Sequence, residues 1–140
     1  MQLLGTVARR LDLTARIARF SPFDLLPIKG NHLPGKFVVS ISCGQNDTDK
    51  ATVGFVVANA AVASDKETVV FLSIEGTRLS QQGYADGIHE EGFAPLKDLM
   101  ASFAEAGGTI YVCSPCFKKR ALDEDKLIAG AKIVGGAKLV

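Results

Sequence analysis

Two cysteines three residues apart, Cys113 and Cys116, stand where an apolar β-favouring run, Thr109-Ile110-Tyr111-Val112, gives way to a cationic segment holding Lys118, Lys119 and Arg120. A thiol at the end of a strand and the start of a helix meets unpaired N–H groups and the positive end of the helix dipole, and both favour the thiolate. The spacing therefore predicts a nucleophilic sulfur at Cys113, with a pKa below the free value of roughly 8.5. Cys116 is then a resolving or backup thiol, and Lys118, Lys119 and Arg120 are supporting charges. Pro115 suits the start of a helix, where its missing N–H leaves no hydrogen bond unmade.

Competing chemistries fit the residues less well. A thioredoxin-like dithiol follows an early strand and has further strands behind it, whereas little chain remains after Cys116. Zinc would need two more ligands, and only Cys43, His32 and His89 are on offer, so no metal is expected. The plain alternative for Cys113 is an inert core thiol, because free cysteine is among the most buried residue types. Cys43 reads as a core cysteine that approaches Cys113 if their strands are neighbours.

The turn Gly44–Lys50 occupies the place of a phosphate loop but lacks its glycine and lysine pattern, and Asp47 and Asp49 would repel phosphate. Capping of the next helix by Asp47, Thr48 or Asp49 is the better role. His89-Glu90 lacks the second histidine four residues on that a zinc protease needs. His89 is a surface histidine, or a proton partner for the thiol if its loop folds over Cys113.

Stepping along the chain, strands are expected at Phe37–Ser42, Thr68–Ile74 and Thr109–Val112, with a last short one at Lys132–Val134. Helices are expected at Ala51–Ser64, from Pro95 through Ala106, and in shorter form at Phe117–Ala121 and Glu124–Ala129. Apolar strands separated by helices indicate a three-layer α/β/α sandwich with a mainly parallel sheet, whose chemistry gathers at the carboxyl ends of the strands. Cys43, Glu75 and Cys113 all fall at such ends. The Gly-rich connection Glu75–Ala94 is long enough to serve as a lid or partner surface.

The chain has 140 residues, 47% of them apolar, and no apolar stretch that would span a membrane, so one soluble domain with a sizeable core is expected. A net charge of +1 argues against nucleic acid as the partner of the whole protein. Three cysteines, an odd number, point to a reducing compartment, hence an intracellular, cytoplasmic protein. Residues 1–35 form a separate unit. Leu4, Val7, Ala8, Leu11, Ala15 and Ala18 recur at helical spacing with Arg9, Arg10, Arg16 and Arg19 on other faces, and a Pro- and Gly-containing arm follows. This basic helix reads as a packing or docking element, a membrane-surface or nucleic-acid contact, or a transit segment, although it has few serines.

Residues 36–140 resemble the DsrE/DsrF-like family. The resemblance rests on Gly44-Gln45-Asn46-Asp47 after the first strand, the apolar helix Phe55–Ala63, and Val70-Phe71-Leu72 leading to Glu75-Gly76. It continues through Gly92-Phe93-Ala94-Pro95-Leu96, Ala106-Gly107-Gly108 and Ile110-Tyr111-Val112-Cys113 with the basic stretch beyond. In the sulfur-relay branch it implies a persulfide-carrying cysteine a few residues before a basic pair, and counting back from Lys119-Arg120 places that role on Cys113. TusD-like members hold a small residue where this chain has Cys116. The resemblance further implies sulfur donor and acceptor proteins as partners, a homo-oligomer (trimer or hexamer), and sulfurtransferase or sulfur-relay carrier activity without an organic cofactor or metal. The alternative is a non-catalytic oligomeric module of the same fold that binds a small ligand or serves assembly.

Overall fold

A computed structural model describes residues 35–140. The N-terminal basic helix and arm expected over residues 1–35, and with them His32, lie outside the described residues apart from Gly35. Strands β1 (Phe37–Ile41), β2 (Thr68–Leu72), β3 (Thr109–Cys113) and β4 (Ala131–Val134) form one sheet. They lie in the order β1-β2-β3-β4, with every pair parallel. Helices α1 (Thr48–Ala63), α2 (Leu96–Glu105) and α3 (Ser114–Lys119) follow β1, β2 and β3. This is the α/β class with a parallel sheet that the apolar runs indicate.

Register explains the core. Val39, Val70, Ile110 and Ala131 align across the four strands, and Ile41, Leu72, Val112 and Ile133 form the next such row on the same face. These rows pack with Ala51, Phe55 and Ala58 of α1 and Leu96, Met100 and Phe103 of α2. Gly54 lets α1 come close to β1: a Cβ there would stand 2.8 Å from the Ile41 side chain. Phe55 and Phe103, both fully buried, meet edge to face with centroids 6.0 Å apart. Each such ring contributes roughly 2–3 kcal/mol through burial, and the pair geometry about 1 kcal/mol more. Asn59 ties the two helices by donating from Nδ2 to the carbonyls of Phe55 and Leu99 at 2.8 and 2.9 Å.

Element ends differ in detail from the expectation. The first helix begins at Thr48 rather than Ala51, because the Asp47 carboxylate accepts from the Lys50 N–H at 3.1 Å and caps the earlier turn. The second strand stops at Leu72, two residues early, and a 3₁₀ helix runs from Ile74 to Ser80 at the head of what reads in the sequence as one long connection. The third helix starts at Ser114, and the stretch expected as helix at Glu124–Ala129 is one 3₁₀ turn, Glu124–Lys126.

Candidate functional site

The carboxyl ends of β1, β2 and β3 stand side by side, since Ile41, Leu72 and Val112 are in register. The chain leaving β2 is pulled against β1. The Ser73 N–H donates to the Ile41 carbonyl at 3.0 Å, and Gly76 passes so close that a Cβ on it would lie 2.2 Å from that same oxygen. Between them Ile74 takes a left-handed conformation, φ 48°, which a β-branched residue adopts only under strain. Its side chain is 54% exposed, so little packing offsets that strain. The Thr77 hydroxyl donates to the Ile74 carbonyl at 2.6 Å and fixes the turn.

Cys113 closes β3 and forms the N-cap of α3, and Cys116 lies within the first turn of that helix. Both thiols are free and half-buried. Their acidities split in a direction opposite to the sequence-based expectation. Burial is the largest influence and pushes the Cys113 thiol up; the Cys116 N–H comes next and lowers it, the Cys116 sulfur raises it again, and Arg120 lowers it least. The Cys116 thiol is held below the usual range, first by the Ile74 backbone N–H, then by the Cys113 thiol, with Arg120 and Lys119 adding to it. The helix start does act on Cys113 through the Cys116 N–H, but desolvation outweighs it there.

Arg120, expected only as a nearby charge, is a structural fork. Its Nε donates to Glu75 Oε1 at 2.8 Å and its Nη1 to the Cys116 carbonyl at 3.2 Å, with the side chain 11% exposed. Glu75 Oε2 accepts from Arg78 Nε at 2.8 Å, and these two guanidinium groups hold the Glu75 carboxyl below its ordinary range. Glu75, Arg78 and Arg120 thus join the 3₁₀ helix after β2 to α3. Lys119 and Lys118 are both exposed.

The remaining sequence-derived residues stand apart from the two thiols. Cys43 is buried in the core at the end of β1, where burial pushes its thiol up. His89 is exposed and its Nε2 lies 2.9 Å from the Phe93 carbonyl, within its own loop. That loop is stitched to the turn after β1. The Thr48 hydroxyl donates to Glu90, the Gln45 N–H to the Tyr84 hydroxyl at 3.1 Å, and the Gln45 amide to the Tyr84 carbonyl at 3.2 Å. A cavity of about 340 Å³ opens elsewhere, between α2 and the chain around Leu79–Asp86; Met100, Ala104, Ile110 and Ile128 line it and no cysteine does.

Ile74 and Arg78 are the residues that sequence reasoning passes over. The three-residue spacing of Glu75 and Arg78 is the one local signal for the clamp, whereas the left-handed turn at Ile74 carries none.

An uncharacterized protein of Methanocaldococcus jannaschii is 28% identical over 99 residues, which cover 71% of this chain and 36% of that protein. The chain thus spans about a third of that relative's length. The crystal structure of the YchN protein of E. coli superposes with a TM-score of 0.61 at 16% identity, covering 74% of this chain and 87% of that one, which is a likeness of fold. The model of the DsrE/DsrF-like family matches residues 35–140, the whole of the described sheet with its helices and both Cys113 and Cys116, and the chain belongs to that family.

Proposed function

We propose that this protein is a sulfur-transfer carrier, which takes sulfane sulfur onto the Cys113/Cys116 dithiol and hands it to a cysteine of a partner protein. The family, associated with sulfur relay, supports this class of reaction. The observation that carries the reading is the pairing of two free, half-buried thiols of unequal acidity beside the Arg120 guanidinium. A thiolate attacks the terminal sulfur of a donor persulfide, the donor S–S bond breaks, and the donor leaves as its thiolate. The acceptor's thiolate then attacks the terminal sulfur of the carrier persulfide and regenerates the carrier thiolate. These steps require no metal and no organic cofactor from the protein.

A donor and an acceptor protein are the partners this reading requires, in a reducing compartment such as the cytoplasm, where the thiols stay free. Assembly into a trimer or hexamer is supported by apolar side chains left exposed on α1 and the first strand: Val53, Val57, Phe37 and Val38 are each 40–43% exposed. No helix among the described residues is long and apolar enough to cross a membrane.

The test is incubation of the reduced protein with glutathione persulfide, followed by intact-mass measurement with the Cys113→Ser/Cys116→Ser double variant alongside. The native chain is expected to gain one sulfur and pass it to an added thiol. The double variant is expected to gain none. Equal loading of the double variant would move the chemistry to Cys43 and sink the dithiol reading.

A further inference from the structure

We propose that the Ile74 side chain and the cations Lys118 and Lys119 form a docking face beside the thiol pair, and that the partner it fits is a protein whose cysteine is flanked by apolar and acidic side chains. The proposal rests on the sulfur-transfer reading and names the kind of partner that site takes. Its parts meet at one ion pair. Ile74 immediately precedes Glu75, and Lys119 immediately precedes Arg120, whose Nε donates to Glu75 Oε1 at 2.8 Å. Arg120 Nη1 also donates to the Cys116 carbonyl at 3.2 Å, which fixes the cysteine-bearing turn of α3 to the same fork.

Ile74 carries the apolar half of the argument. A single apolar side chain on a surface is ordinary. One that stands on a left-handed backbone is not: φ is 48°, glycine or asparagine would sit there with less strain, and the core gains little from a side chain that is 54% exposed. Strain that packing within the chain does not offset points outward, to something the side chain touches only in a complex.

Charge supplies the other half. Lys118 and Lys119 are exposed and form no ion pair among the described residues. With Arg78 and Arg120 they set four cations against the single Glu75 carboxylate where the 3₁₀ helix meets α3. The acidic run Asp123–Asp125 does not cancel them, because Asp123 is tied to Gln81, at the far end of that 3₁₀ helix and roughly 14 Å from Ile74 at about 2.0 Å per residue. Such a face steers acidic partners toward the thiols and repels basic ones. An inorganic anion such as thiosulfate would use the cations and leave Ile74 without a contact, whereas a peptide segment uses both. Once it is seated, the partner's thiolate attacks the terminal sulfur of the carrier persulfide. The carrier S–S bond breaks, the carrier sulfur leaves as its thiolate, and the partner holds the S–SH group.

The experiment loads the full chain with glutathione persulfide, removes the excess, and follows by mass the passage of sulfur to three synthetic peptides with a central cysteine. One has aspartate and glutamate beside the cysteine and leucine at both ends; the second has lysines in place of the acids; the third has serines in place of the leucines. Each rate is divided by the same peptide's rate with free glutathione persulfide, which removes differences in peptide thiol pKa. The acidic leucine peptide is expected to lead the lysine peptide by about tenfold at low salt, a lead that shrinks toward parity in 1 M NaCl, where the Debye length is about 3 Å. It is expected to lead the serine peptide severalfold at any salt. Ile74→Asn, which relieves the backbone and removes the apolar group, is expected to lose the leucine preference and keep the acidic one. Lys118→Glu/Lys119→Glu is expected to reverse the acidic preference. Ratios within one variant do not depend on how reactive its own persulfide is, and the two lysines are exposed, so the charge half is tested even if Ile74→Asn folds poorly. Equal normalised rates for the three peptides, or ratios that the variants leave as in the native chain, would overturn the docking face and leave sulfur transfer standing. Absence of any persulfide on the native chain would overturn the sulfur-transfer reading and the docking face with it.

Discussion

At Ile74 the backbone does what its side chain opposes. A left-handed conformation crowds the Cβ of any L-residue at about 1–2 kcal/mol, and a β-branched residue more so. The residue recovers little by packing, since more than half of its side chain faces solvent. Two substitutions separate strain from packing: Ile74→Ala gives up the packing and keeps the strained Cβ, whereas Ile74→Gly gives up both. In an ordinary strand or helix the glycine variant is the weaker of the two, because it loses more conformational freedom on folding. Here the order is expected to invert, with Ile74→Gly more stable than Ile74→Ala by about 1 kcal/mol in urea unfolding. An alanine variant as stable as the glycine one would mean that the turn relaxes out of the left-handed region and that no strain is stored there.

Between elements, the close passage of Gly76 under the Ile41 carbonyl decides where the turn after β2 sits, and through it where Ile74 and Glu75 meet α3. A methyl group there would overlap a backbone oxygen that has no rotamer with which to yield. Gly76→Ala is therefore expected to destabilise the protein by about 1–3 kcal/mol, the range of overpacked sites, and to slow Cys116 alkylation as the turn is pushed off. Native stability with unchanged alkylation would show the contact to be slack. This passage also marks how far the sequence is legible. The runs beginning at Phe37, Thr68 and Thr109 carry strand signals strong enough to read locally, and the α1 and α2 patterns with the Gly107-Gly108 stop are equally local. The thiol pair is visible from its spacing and the cation at Arg120 from its place after it. Which thiol is the more acidic is not visible, because the deciding N–H comes from Ile74, on another element, and the deciding burial at Cys113 comes from tertiary packing. The 3₁₀ helix Ile74–Ser80 escapes for the same reason: its first residue is β-branched and signals a strand.

For the molecule as a whole, the ionisable groups set the pH range of stability from both sides. Asp47, bonded to the Lys50 side chain and N–H, and Glu75, bonded to Arg78 and Arg120, both titrate below their usual range in the folded state. A carboxyl whose folded pKa is depressed adds stability that is complete above its unfolded value, about 4, and is lost as pH falls through the folded one. On the alkaline side the thiols act in opposite directions. Burial raises Cys43 and Cys113, so the unfolded chain releases their protons first, and stability falls as pH climbs past the unfolded thiol value of roughly 8.5. Cys116 is lowered and works the other way, gaining stability over the interval from its folded pKa up to that same unfolded value. The alkaline loss is thus carried by Cys43 and Cys113 and opposed by Cys116. Urea midpoints measured under reducing conditions are therefore expected to be flat from about pH 5 to 8 and to fall on either side. In Cys43→Ala the alkaline fall is expected to be shallower relative to that variant's own midpoint at pH 7, because a buried group that must stay protonated is gone. A Cys43→Ala chain whose alkaline fall is as steep as the native one would show that the Cys43 thiol ionises as easily in the fold as in the unfolded chain.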